Sequence, residues 1–81
     1  MKQAKNENGT VLNVVEHIIL RNFWEYYILE DEDNTEDIVF CFVMGQENEF
    51  GNVSLEEIKP YIISRTKELD EIMPPQGYSW A

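Results

Sequence analysis

With 81 residues, 43% of them hydrophobic and ten of them aromatic, the chain has material for one packed core and no second domain. Sixteen carboxylates against six lysines and arginines set a formal net charge of −10, which repels phosphate backbones and anionic lipid and excludes direct nucleic-acid and membrane-surface binding. No stretch approaches the roughly 20 apolar residues of a membrane span, and the solitary Cys41 excludes an internal disulfide.

Residues 1–9 are polar, carry Asn8-Gly9, and are expected to form a flexible leader to a single domain over 10–75. The next apolar run is interrupted by Asn13, Glu16 and His17, which is unlike a signal peptide, so a cytoplasmic protein is expected. From Thr10 onward, apolar residues fall at 11, 12, 14, 15, 18, 19 and 20. That spacing predicts a helix over about 11–21, with Thr10 as its cap. Five β-branched residues in the same run, Val11, Val14, Val15, Ile18 and Ile19, keep a strand as the alternative.

The aromatic stretch Phe23–Glu30 and the apolar run Ile38–Met44 read as two strands of a hairpin, with a short edge strand Phe50–Val53 completing a three-stranded antiparallel meander. Ser54-x-x-Glu57 is a capping box and starts a helix that Pro60 should stop near residue 59. Tyr61–Met73 is expected to add helical turns before Pro74-Pro75, leaving 76–81 as a tail. The expected fold class is therefore α+β: a small single domain with an N-terminal helix, a three-stranded antiparallel meander and C-terminal helical segments.

Charge is distributed very unevenly. From Asn22 to Ile58 there is no lysine or arginine but eleven carboxylates, six of them within residues 30–37 in the hairpin loop. The loop fails as a calcium-binding EF-hand, because with Asp31 in the first place the glycine needed at the sixth is Glu36 and the bidentate glutamate needed at the twelfth is Phe42. One histidine and one cysteine, His17 and Cys41, cannot make a zinc tetrad. Cys41 lies between Phe40 and Phe42 in an anionic segment, surroundings that disfavour a thiolate nucleophile. The four glycines stand apart at 9, 45, 51 and 77, so no phosphate loop is present. No catalytic, cofactor-binding or metal site is expected.

The reading that remains is a non-enzymatic binding protein. Its carboxylates Glu30, Asp31, Glu32, Asp33, Glu36, Asp37, Glu47 and Glu49 would engage a basic protein surface, copying the phosphates to which a nucleic-acid-binding protein is adapted. The alternative is a structural module that forms a homodimer through an apolar hairpin face built from Phe40, Phe42, Trp24 and Tyr26.

Three segments carry a resemblance: Trp24-x-Tyr26-Tyr27-x-Leu29-Glu30; Phe42-Val43-Met44-Gly45-x-Glu47-x-Glu49-x-Gly51-x-Val53-Ser54-Leu55-x-Glu57-Ile58; and Leu69-Asp70-Glu71-Ile72-Met73-Pro74. Over about 50 residues the pattern resembles a family of small bacterial proteins of unknown function carried on plasmids, conjugative elements and prophages. The chain departs from that pattern at Lys59-Pro60-Tyr61 and in residues 11–21. The resemblance implies strands joined by an acidic loop. It names no activity, but its genetic setting implies a role in conflict between mobile elements and their hosts.

Overall fold

A computed structural model describes all of residues 1–81 and shows a fold built mostly from antiparallel sheet. Seven strands occur in chain order: β1 (Lys2–Asn6), β2 (Val11–Leu20), β3 (Glu25–Leu29), β4 (Ile38–Met44), β5 (Asn48–Ser54), β6 (Ile62–Thr66) and β7 (Tyr78–Trp80). The sheet order is β5-β4-β3-β2-β1-β7, and β6 pairs with β2 as well. The only α-helix, α1, spans Leu55–Ile58 and runs into a 3-10 turn at Lys59–Tyr61; a second 3-10 turn covers Leu69–Glu71.

The expected N-terminal helix is a strand. Its β-branched residues favour extended backbone, and β2 finds partners along both edges: β3 on one, and β1 followed by β6 on the other. The helix-like spacing of its apolar residues has a different cause. A register shift between Val14 and Glu16 marks a bulge, after which the side chains change face. Leu12 and Val14 therefore enter one core, while Val15, Ile18 and Leu20 serve the other.

The expected C-terminal helical segments are also corrected. Ser54 caps α1 through its hydroxyl, which accepts from the Glu57 amide, but the helix lasts four residues before the turn containing Pro60. Beyond it Ile62–Thr66 pairs with His17–Leu20 as β6, because an open edge of β2 offers these β-branched residues a ladder. Residues 2–6, read as leader, form β1 against β2, and the tail supplies β7 against β1.

Both faces of the sheet are apolar, and each has its own cover. The first core contains Ala4, Leu12, Val14, Tyr27, Leu29, Phe42 and Leu69. It is closed by the C-terminal segment, pinned where the Tyr27 hydroxyl donates to the Met73 carbonyl at 2.8 Å and Trp80 Nε1 donates to the Ile72 carbonyl at 2.9 Å. The second core contains Ile18, Leu20, Tyr26, Ile28, Val39, Cys41 and Val43, against which Leu55, Ile58 and Ile62 of the α1 crossover pack. Burying each of the Val, Leu, Ile or Phe side chains among them contributes about 1.5–3 kcal/mol. Both covers come from the second half of the chain; neither is a helix at residues 11–21.

Two acid–base pairs tie the covers and strands together. Glu16, only 4% exposed, is paired with Arg65 of β6. His17, 3% exposed, lies 2.9 Å from Glu25 and against the Tyr27 ring, centroids 4.6 Å apart. Between β2 and β3 the turn places Phe23 at a φ of 66° with its ring exposed, so this aromatic contributes nothing to the core.

Removing the cation opposite a buried carboxylate leaves an uncompensated charge. Because Arg65 is itself half exposed, Arg65→Met is expected to lower stability by about 1–3 kcal/mol in urea denaturation. An unchanged midpoint would show that Glu16 does not depend on its partner.

Candidate partner-binding surface

The acidic loop between β3 and β4 is held by its uncharged members. Asn34 spans it: its Nδ2 donates to the Leu29 carbonyl and its Oδ1 accepts from the Phe40 amide, both at 2.8 Å. Thr35 closes the exit, with its amide donating to the Ile38 carbonyl at 2.9 Å and its hydroxyl oxygen accepting from the Ile38 amide at 2.8 Å. At the entrance the Glu30 amide donates to the Asn13 carbonyl of β2 at 2.8 Å. Asn and Thr compete well for local backbone groups, which is why these two residues bridge the strand ends on either side of an octet otherwise made of carboxylates.

The carboxylates divide into two kinds. Asp37 is structural: one of its oxygens accepts from the Ser54 hydroxyl and the Glu56 amide, both at 2.9 Å, and its carbonyl accepts from the Leu55 amide at 2.8 Å. It is thus a second cap for α1, supplied from a different part of the chain. Asp31 accepts from the Asp33 amide at 2.9 Å and shapes the first turn while remaining exposed. Glu30, Glu32, Asp33 and Glu36 are exposed, and neither ion pair in the structure, Lys2–Asp70 or Glu16–Arg65, involves the loop. No three His, Cys, Asp or Glu side chains converge as a metal site would require.

Glu47 and Glu49 are exposed but lie elsewhere. They occupy the far end of the β4–β5 hairpin, roughly 20 Å from the loop at about 3.3 Å per residue of β4. The eight carboxylates grouped in sequence therefore form two patches. Glu56 and Glu57, which the sequence reading passed over, are exposed and are brought to the loop by the Asp37 cap. No local pattern announces that contact, because it joins residues 19 apart.

At the other patch, Trp24, Gln46, Glu47 and Glu49 line an open hollow of about 310 Å³. Trp24 lies against Gly45 so closely that a Cβ there would sit 2.7 Å from the indole ring. Gly45 is required by that approach, and the sequence signal for it is a glycine just past the end of one strand with an aromatic residue just before the start of its partner.

The four residues read as one dimer face do not share a face. Phe42 pairs with Tyr27 and Val43 with Tyr26, so Tyr26 points away from the side that carries Phe42. Tyr26 and Phe42 are moreover buried in different cores. What remains outside is Phe50 of β5, 48% exposed, with Phe40 stacked on it at 5.8 Å.

Cys41 is fully buried, and desolvation pushes its thiol up to about 12. Burial also raises Tyr26, with a smaller contribution from Cys41, and raises Tyr27, with a smaller contribution from Glu25. The Lys2 ammonium 2.5 Å from Asp70 holds that carboxyl below its usual range and ties β1 to the second 3-10 turn.

No helix of the chain is long and apolar enough to cross a membrane. No family model matches the chain, and no curated protein or solved structure matches it either.

Two outcomes follow from this geometry. Asp37→Ala should cost about 1–2 kcal/mol through loss of the α1 cap, whereas Glu36→Ala should stay within about 0.5 kcal/mol; equal effects in chemical denaturation would contradict the division of roles. A thiol raised in the folded state stabilises fully below its unfolded value near 8.5, and that contribution is lost as pH rises toward 12. Native Cys41 is therefore expected to resist alkylation at pH 8 and to react on unfolding; prompt reaction of the native chain would refute its burial.

Proposed function

We propose that this chain is a non-enzymatic binding protein, of the kind carried by mobile elements and acting in the cytoplasm, that engages a basic protein surface through Glu30, Asp31, Glu32, Asp33 and Glu36. The observation that carries this reading is the braced loop: exposed carboxylates without ion pairs, on a frame fixed by Asn34 and Thr35. Charges held at set spacing can meet a surface adapted to phosphates without the ordering cost of a flexible acidic tail. Glu56 and Glu57 extend the same field. The buried positions of Cys41 and His17 support the non-enzymatic part, since neither side chain is open to a substrate.

The test is a pull-down from bacterial lysate with the full chain and with the Glu30→Gln, Glu32→Gln, Asp33→Asn, Glu36→Gln variant, which leaves Asp31 and Asp37 in their structural roles. The wild-type chain should capture a basic nucleic-acid-binding protein at low salt. DNA should compete for it, and capture should fade toward ~0.5 M salt as the Debye length shrinks to a few Å. Equal capture by the variant, or capture that persists at high salt, would contradict the proposal.

A further inference from the structure

β5 is an open edge. It pairs with β4 over seven consecutive positions, Asn48–Ser54 against Met44–Ile38, with no bulge, and no strand pairs with its other side. Such a strand directs alternate amide and carbonyl groups outward, and sheets usually block them with lysine, proline or a bulge. β5 has none of these: its sequence is Asn-Glu-Phe-Gly-Asn-Val-Ser.

Charge at the two ends of the edge selects the occupant. β5 begins at the hollow formed by Trp24, Gln46, Glu47 and Glu49, and it ends at Ser54, which is bonded to Asp37 of the acidic loop. An indole fixed against Gly45 beside two carboxylates suits a guanidinium or ammonium group, through cation–π and ion pairing together. A second copy of this chain is a poor fit. Antiparallel pairing about Gly51 would bring Glu47 of each copy opposite Leu55 and beside Glu56 of the other, setting like charges together at both ends.

We infer that β5 accepts an extended basic segment of the partner as an added strand, with one arginine or lysine side chain seated in the Trp24 hollow. This rests on the reading that the partner is basic, and it adds the binding mode: about seven residues paired through the backbone. Phe50 and Phe40 offer apolar contact to alternate side chains on one face of that segment.

The experiment titrates the isotope-labelled full chain at low salt with a capped seven-residue peptide alternating arginine and valine. A version N-methylated at alternate backbone positions serves as the control. Amide shifts are expected along Asn48–Ser54 and at the Trp24 indole. The N-methylated peptide should bind at least tenfold more weakly, as should the parent peptide to Glu47→Gln/Glu49→Gln. Shifts confined to residues 30–36 with equal affinity for both peptides would overturn the edge proposal and leave the loop reading standing. Absence of any shift would overturn it as well. Unchanged β5 shifts in the four-substitution loop variant support the edge proposal whatever becomes of the loop reading.

Discussion

The bulge between Val14 and Glu16 is the constraint on which the rest of the structure depends. In strict alternation Leu12, Val14, Ile18 and Leu20 would all point to the same face. By changing face midway, β2 supplies Leu12 and Val14 to the first core and Ile18 and Leu20 to the second. Its two halves also take different neighbours on the same edge, β1 and then β6. An 81-residue chain can thereby cover both faces of an apolar hairpin without a long helix. The entrance of the acidic loop hangs from the same strand, through the bond from Glu30 to Asn13 one residue before Val14.

The charge distribution follows from that scaffold. Three carboxylates have partners within the fold: Glu16 has Arg65, Glu25 has His17, and Asp37 has Ser54 and the start of α1. Those at the hairpin ends are left to solvent. Carboxylates with internal partners stabilise the fold, and those of the two outward patches do not. Free carboxylates a few Å apart repel by about 1 kcal/mol or less in water, a modest cost that a cationic surface would reverse.

The parts of the fold legible in sequence were those governed by local chemistry. The run Ile38–Met44 is strand β4 with the same bounds, the Ser54 capping box opens α1, and the octet 30–37 is the β3–β4 loop. The parts that were not legible depend on partners distant in sequence. The bulge made residues 11–20 mimic helical spacing, and only pairing with β3, β1 and β6 resolves them as strand. Residues 2–6 and 78–80 are polar or short, and they become strands because an edge awaits them. The site was half legible: composition located the carboxylates, but only the fold separates Asp37 from Glu36 or brings Trp24 to Glu47 and Glu49.

The central claim is that the acidic loop is a fixed frame, since carboxylates on a mobile loop could not hold set spacing. Backbone ¹⁵N relaxation across residues 30–37 tests it most directly. The account predicts order parameters near 0.85, matching the flanking strands, with Asn34 and Thr35 as rigid as Phe40; values below about 0.6 through the octet would contradict it.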